Sequence, residues 1–500
     1  MNKNYPAAHD SDFDFLLNEA AEALPHDTVK TVTPWKNSMK LVLIGTALSL
    51  LTLNLFGLNY ICSAVGTFLT FLGYRSLRRE NRMFSACFAV SIPLAAEQLA
   101  VLILNSTVFG TRLLSEINAV TIFAVNATVT LCELIFLSLA LQKVKKKAGI
   151  TTKTKSALWL VIWYIAAAVL AVSQLGKWTP AALLAVIFYI LILFNLFRLP
   201  KELEEAGFTV TPVRLRIGNG ALVAVFAALA VTGLALGFVF GGRYAMDWQP
   251  VNAVEETQKS EQALVKLRSF GIPENILRDL SPEDIEKCAS ATECRIVVSE
   301  RQDSGEKNET DGLQTTGIAL LIPAENKTRE DEAELSGGET GQETETWLII
   351  NHFVWTKSPK ICRTDCIQLW QPMDSYGIRL HISEQHGRLL CDTDGTTYTS
   401  PFYSLEKSAN APNQVVPQNP SDLYAEFSLS PYGENSRGYI MYTLSRPVEN
   451  TAFDCWMNYT HTTGRLIYPL VTAKDRRVNG MWNGTGKFCT LQSRFDFWQS

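Results

Sequence analysis

The sequence predicts an α-helical membrane domain of about seven transmembrane helices, followed by an extracytoplasmic β-rich domain. That second domain reads as a sandwich or jelly-roll-like fold with a short helical hairpin at its start. Three observations predict this. Gly220–Phe240 is an uncharged run of Ala, Val, Leu, Phe, Gly and one Thr, about 32 Å of helix, which matches the hydrocarbon thickness of a bilayer. Residues 1–249 sum to +7 and residues 250–500 to −11, so a basic apolar half precedes an acidic one, although mean hydropathy over the chain is only +0.06. After Cys294, short runs rich in Ile, Val, Tyr, Phe and Trp alternate with Gly, Pro, Asn and Asp turns, the pattern of antiparallel strands.

In chain order, residues 1–40 form a polar, cytoplasmic N-terminal segment with no apolar signal-peptide core. Within it Phe13, Leu16, Leu17, Ala20, Ala21 and Leu24 share one face of a helix over Ser11–Leu24 that Pro25 stops, suited to the membrane surface or to a cytosolic protein partner. Residues 41–241 hold the spans, at Leu41–Leu58, Tyr60–Tyr74, Phe84–Leu104, Ile117–Leu141, Ala157–Leu175, Ala181–Leu196 and Gly220–Gly241. Basic clusters recur in alternate loops: Arg75, Arg78, Arg79 and Arg82, then Lys143 to Lys155, then Arg198, Lys201, Arg214 and Arg216. The intervening loops carry only Arg112 and Lys177. By the positive-inside rule the N-terminus is cytoplasmic, and an odd number of spans places the C-terminal half outside.

Residues 242–292 read as an extracytoplasmic helical linker. A helical pattern through Ala263, Leu264, Leu267 and Phe270 is broken by Gly271-Ile-Pro, and Ser281 with Pro282 starts a second helix. Residues 293–500 carry the β-rich domain, with strands expected at Arg295–Ser299, Gly317–Ile322, Thr346–Trp355, Cys366–Trp370, Ile378–Ser383, Leu389–Cys391, Thr397–Tyr403, Tyr424–Ser430, Gly438–Leu444, Asp454–Thr460 and Leu466–Val471. Gln302–Thr315, Asn326–Glu345 and Ser408–Asp422 are polar stretches expected as mobile surface connections. Asp392-Thr-Asp394-Gly395 opens like a calcium loop but lacks the remaining ligands, and reads as a hairpin turn.

Three stretches carry a resemblance: Leu24-Pro-His-Asp-Thr-Val-Lys-Thr-Val-Thr-Pro-Trp-Lys, Phe71-Leu-Gly-Tyr-Arg-Ser-Leu-Arg-Arg-Glu-Asn-Arg, and Phe270-Gly-Ile-Pro-Glu-Asn-Ile-Leu-Arg-Asp-Leu-Ser-Pro-Glu-Asp-Ile. Together they resemble uncharacterised multi-pass membrane proteins of low-GC Gram-positive bacteria. The resemblance implies a membrane protein over most of the chain and brings no activity and no functional residues.

Candidate functional residues fall in three groups. Glu97 and Glu133 are ionisable groups at membrane depth, where burial costs about 2–3 kcal/mol or more unless the group is paired, protonated or wet. Glu97 is level with Asn126 on the neighbouring antiparallel helix, so a hydrogen bond between them is expected. The structural alternative is a polar clamp between helices, and the functional one is a proton or solute site. Cys62, Cys87 and Cys132 lie within spans as apolar fillers, whereas the other seven cysteines lie in the half expected outside. There Cys288 with Cys294, and Cys362 with Cys366, are candidate disulfides. A metal site is not expected, because Cys-x3-Cys has no matching second pair and His352, His381, His386 and His461 are scattered. Finally, Trp347, Trp355, Trp370, Trp456, Tyr459 and Trp482 are candidates for an aromatic ligand platform, with core packing as the alternative.

No nucleophile elbow, phosphate-binding Gly loop, dinucleotide fingerprint or paired-His zinc helix is present. The expectation is a non-enzymatic membrane sensor or interaction protein without a cofactor. Its partners would be the lipid bilayer, a cell-wall glycan or protein ligand outside and a cytosolic protein at the N-terminal segment, with no nucleic acid. A transporter or transporter subunit using Glu97 and Glu133 is the alternative, and a membrane-tethered hydrolase a further one.

Overall fold

The structure, a computed structural model, describes residues 34–50, 57–110, 113, 119–150, 155–172, 179–207, 217–251, 260–299, 312–323, 344–374, 380–407, 422–447, 453–479 and 487–497. The N-terminal helix expected over Ser11–Leu24 lies outside the described residues, as do most of the three polar connections. Gly312–Thr315, Thr344–Glu345 and Asp422 are exceptions, with Leu313 and Thr344 the first residues of strands. The chain divides into two compact units, one reaching to Leu236 and the other made of Gly237–Ser500 with Ser106–Val108.

The first unit contains α1 (Pro34–Leu50), α2 (Leu58–Leu77), α3 (Arg82–Leu104), α4 (Ala119–Lys147), α5 (Ser156–Val172), α6 (Thr179–Glu205) and most of α7 (Asn219–Phe240). Four segments, Arg82–Leu104, Phe123–Lys147, Leu183–Leu203 and Asn219–Phe240, are long and apolar enough to cross a membrane. Asn37–Leu50 and Ser156–Leu170 are apolar but shorter, and α2 is interrupted by Asn59, Thr67, Thr70 and Arg75. The seven expected spans are therefore represented by seven helices, of which four reach full spanning length and apolarity. Small residues set their spacing. A Cβ on Gly45 would come within 2.6 Å of the Gly66 carbonyl oxygen, and one on Gly66 within 2.5 Å of the Ser49 nitrogen. The α1 and α2 backbones thus approach too closely for any side chain, which is the packing mode of helices that gain nothing from excluding water. Polar side chains then join helices: the Tyr189 hydroxyl reaches the Thr46 and Ala47 carbonyls at 3.1 and 3.0 Å, and Trp163 Nε1 donates to the Ala185 carbonyl at 2.8 Å. Asn81 caps α3 through the amides of Met83 and Phe84.

The second unit contains β1 (Gln249–Pro250), α8 (Glu261–Ser269), α9 (Glu274–Asp279), α10 (Pro282–Ala289), β2 (Glu293–Val298), β3 (Leu313–Ile322), β4 (Thr344–Trp355), β5 (Asp365–Asp374), β6 (His381–Thr393), β7 (Thr396–Pro401), β8 (Ser404–Lys407), β9 (Leu423–Phe427), β10 (Glu434–Pro447), β11 (Phe453–Thr462), α11 (Ala473–Asn479) and β12 (Phe488–Phe497). The strands form two antiparallel sheets. One has seven strands in the order β1-β7-β6-β10-β4-β3-β2 and the other five in the order β12-β11-β5-β9-β8. Ile349, Phe353, Ile440 and Tyr442 of the first share one core with Ile367, Ala425, Met457 and Phe495 of the second. Gly317 makes room for the Phe495 ring, which would lie 2.5 Å from a Cβ there.

The outer face of the seven-stranded sheet is also buried. Ile318, Leu320, Leu348, Ile350 and Met441 pack under Leu267, Ile276, Leu277, Ile285 and Cys288 of α8, α9 and α10. This explains why β3 and β4 read as continuous rather than alternating apolar runs. The expected two-helix linker is in fact three helices, because Pro273 starts α9 between the two that were expected. Ser281 caps α10 with Pro282 at its first position, as the sequence suggested. Asp394 and Gly395 both have positive φ, 51° and 77°, and form the tight turn between β6 and β7 that the Asp-Gly pair predicts. Two strand expectations are corrected. Leu466–Val471 is irregular, and the final strand is instead β12, whose inward Leu491, Ser493, Phe495 and Phe497 alternate with Gln492, Arg494 and Asp496. Ile378–Ser383 and Leu389–Cys391 belong largely to one long strand, β6, running through Gly387.

Candidate ligand face and polar clusters

Alternation on β5, β11 and β12 sends one set of side chains into the core and the other to the outer face of the five-stranded sheet. The register lines up the outward set in rows. Trp456 lies opposite Trp370 on one side and Arg494 on the other, and the next row is Gln368, Asn458 and Gln492. The Trp370 and Trp456 rings lie 5.4 Å apart at 35°, and the Arg494 guanidinium sits 5.4 Å from the Trp456 centroid. Asp454 anchors the group, accepting from Trp456 Nε1 at 3.1 Å and from Arg494 Nε at 3.1 Å. Farther along the same face α11 packs over Cys366 and Tyr424, with Arg477 donating to Gln368 Oε1 at 2.6 Å. The Trp370–Trp456–Arg494 row is thus a half-buried aromatic platform edged by charges. Such a surface can stack on the apolar face of a ring while carboxylate and guanidinium groups bind its polar rim.

The six aromatic residues singled out in the sequence do not form one platform. Trp347, Trp355 and Tyr459 are fully buried in the core between the sheets. Trp347 packs edge-on against Phe453, and Trp355 Nε1 donates to the Tyr459 hydroxyl at 3.1 Å. These three are core because their strand positions have inward parity, and only Trp370 and Trp456 have outward parity. Trp482 lies outside the described residues. Arg494 and Asp454 escaped the sequence reading, Arg494 because β12 itself was not recognised; alternating Leu, Ser, Phe and Phe was the available signal.

Three histidines, His352, His386 and His461, pair with carboxylates. His461 Nδ1 meets Asp365 Oδ1 at 2.8 Å inside the sandwich, where Tyr459 donates to Asp365 Oδ2 at 2.7 Å. On the outer face of the seven-stranded sheet, Asp279 is held by His352 at 2.8 Å and Arg437 at 2.7 Å. Beside it Asp284 accepts from His386 at 2.7 Å, from Ser281 at 2.7 Å and from Tyr439 at 2.5 Å. Burial alone would raise the Asp284 carboxyl, but the hydrogen bonds from His386, Tyr439 and Ser281 outweigh it and bring it down to about 2. The hydrogen bond to Asp284 in turn raises His386 above the ordinary imidazole value. These pairs fasten α9 and α10 to the sheet.

All ten cysteines are thiols, which corrects the two disulfide expectations. Cys362 is half-buried against the inter-sheet core, whereas Cys366 lies under α11 with Tyr424 and Ala473, so the two face different clusters. Cys288 is buried inside the helix-sheet cluster, with Cys294 at its edge. Burial pushes the Cys294 thiol up to about 12 and the Cys362 thiol up to about 11.

Among the helices, Glu97 and Asn126 are both half-buried, and no hydrogen bond joins them among the described residues, so their expected pairing is not formed. Glu133 is buried instead beside Tyr74 and Cys87, with the Cys87 thiol 3.9 Å from the Glu133 carbonyl oxygen. The Tyr74 hydroxyl faces Glu133 and Cys87. The sequence had read Cys87 only as filler.

No family model matches this chain, and no curated protein matches it. Among solved structures it is similar to one described as manganese lipoxygenase of Gaeumannomyces graminis with part of a zonadhesin of Komagataella pastoris, at 7% identity over 37% of this chain and 62% of that one, with a TM-score of 0.18. It is also similar to Clostridium perfringens delta-toxin, at 6% identity over 40% of this chain and 91% of that one, with a TM-score of 0.13. Likenesses this distant carry no argument about fold or function.

Proposed function

We propose that this chain is a multi-pass membrane sensor or interaction protein, anchored by all seven helices, with its N-terminus cytoplasmic and its β unit extracytoplasmic. The alternation of Lys- and Arg-rich loops supports that orientation, and the resemblance to multi-pass membrane proteins of Gram-positive bacteria belongs to the same proposal. The observation that carries the function is the Trp370–Trp456–Arg494 row, its two indoles half-buried, on the outer face of the five-stranded sheet. Its ligand class is a cell-wall glycan, whose sugar rings offer apolar faces for indole stacking and hydroxyls for Asp454 and Arg494. No catalytic step is involved.

Tryptophan fluorescence of the full-length protein in nanodiscs, titrated with soluble cell-wall glycan fragments, tests this. Binding should weaken by about 30-fold in Trp456→Ala, the effect of losing a central aromatic contact worth about 2 kcal/mol. Equal binding by wild type and Trp456→Ala would sink the assignment of this face. Reporter fusions at Met1 and Ser500 test the orientation separately.

A second reading, transport, keeps one observation in its favour: Glu133 buried with Tyr74 and Cys87. Loss of uptake in Glu133→Gln with an intact fold would establish it.

A further inference from the structure

The α7 helix is 22 residues long, about 33 Å, so when it crosses a bilayer its ends fall at the level of the lipid headgroups. Its last turn and the residues after it belong to the β unit, where Phe238 meets a cationic side chain. Arg363, in the loop between β4 and β5, donates through Nη2 to the Phe238 carbonyl at 3.5 Å, and its guanidinium lies 6.0 Å from the Phe238 ring centroid. The Arg363 Nη1 is buried and has no hydrogen-bond partner among the described residues. The chain after α7 runs against this guanidinium: a Cβ on Gly242 would stand 2.9 Å from Arg363 Nη1, and the next residue is a second arginine, Arg243, whose charge acts on Arg363. Asp365 is the closest acidic residue in sequence, but His461 and Tyr459 occupy its carboxylate. Arg243 makes no ion pair among the described residues. Lys357 and Lys360, on the same loop as Arg363, are exposed.

Two guanidinium groups at one corner, one of them with a buried N–H group unpaired among the described residues, are favourably joined by an anion. Guanidinium groups match phosphate oxygens in geometry and charge. The apolar surroundings fit a lipid source for that phosphate. Phe240 on the last turn of α7 is 77% exposed and Leu466 is 69% exposed, and Tyr468, two residues beyond Leu466, packs against Phe238 at 6.2 Å.

We propose that Arg243 and Arg363 form a phosphate-binding pair at the C-terminal end of α7, filled by the headgroup of an anionic phospholipid. The proposal rests on the reading of α7 as a membrane span.

The test uses the full-length protein in a phosphate-free maltoside detergent, with phosphatidylglycerol, phosphatidylcholine or inorganic phosphate added. Native mass spectrometry should show phosphatidylglycerol retained over phosphatidylcholine, with retention about tenfold lower in the double variant Arg243→Gln/Arg363→Gln. Equal retention by wild type and double variant overturns the site. Thermal unfolding separates ligand binding from a structural role. Without anion, Arg243→Gln should unfold at the same temperature as wild type or higher, since a repulsion is removed; with phosphatidylglycerol it should unfold lower. A drop in both conditions assigns Arg243 to the fold and overturns the proposal. Inorganic phosphate that displaces phosphatidylglycerol and restores the full stabilisation overturns the lipid source and leaves a soluble phosphate as the ligand. Failure of the spanning reading shows independently, as failure of the wild-type protein to float with liposomes.

Discussion

The two units differ in what they leave on the surface. On the helical unit the exposed side chains include Leu183, Phe188, Val225 and Val231, with Phe188 61% and Val231 68% exposed, while Thr46, Thr67, Thr70, Ser91 and Glu133 are inside. In the β unit Ile349, Phe353, Tyr442 and Phe495 are inside, while Gln492, Arg494, Lys357 and Lys360 face out. Both units have apolar cores, but a surface of large apolar groups is stable only where the surroundings are as apolar as the side chains. The β unit instead has the distribution that water produces. The contrast fits the four helices that are long and apolar enough to cross a membrane, and packing differs as well: α1 and α2 approach backbone to backbone at Gly45 and Gly66, whereas the β unit packs large side chains between its sheets.

That contrast can be broken most forcefully by large-to-small substitution. Phe353→Ala in the β core should cost about 3–5 kcal/mol, whereas Phe188→Ala on the helical surface should change stability in lipid by less than about 0.5 kcal/mol. Denaturant unfolding followed separately in each unit measures both, and equal costs would erase the distinction. The reverse change sharpens it. Gly66→Leu should destabilise the helical unit by about 1–3 kcal/mol by forcing α1 and α2 apart, while Gly220→Ala, with nothing near the added methyl, should be neutral in thermal unfolding.

A smaller effect concerns pH and belongs to the β unit alone. Because the folded Asp284 carboxyl is depressed to about 2, its contribution is present above the unfolded value near ~4 and is lost as pH falls toward 2, roughly 2 kcal/mol in all. The raised His386 value works in the other direction. Its contribution is complete below about 6.5 and disappears as pH rises through the folded value. Unfolding profiles against pH should lose the acid limb in Asp284→Asn and the alkaline limb in His386→Gln; profiles unchanged in both variants would contradict the pairing. Smallest of all, Arg494→Gln should shift stability by under about 1 kcal/mol, since its ion pairs are exposed, while still weakening glycan binding.

The helices were legible because their signal is compositional. An uncharged run such as Gly220–Phe240 needs no partner to announce itself, and Ser281-Pro282 or Asp394-Gly395 fix local geometry through their own backbones. The candidate site was legible only in part. Trp370 and Trp456 were among the residues named, but so were Trp347 and Trp355, and composition does not distinguish inward from outward parity on strands whose both faces are apolar. The pairing expected between Glu97 and Asn126 came from helix rise alone. Rise gives depth but not rotation about the helix axis, and it is rotation that puts Glu133 beside Tyr74 and Cys87.

By itself, then, the sequence determined what depends on short-range chemistry: where the apolar helices run, where the strands cluster, which residues start and stop them, and which half suits which solvent. Tertiary structure alone decided which side chains meet across long separations. Register brought Arg494 to Trp456 and Trp370, and topology brought Asp279 to His352 and Arg437. The physical reason is that a local pattern fixes direction and period, whereas contact depends on how elements distant in sequence are rotated and aligned against one another.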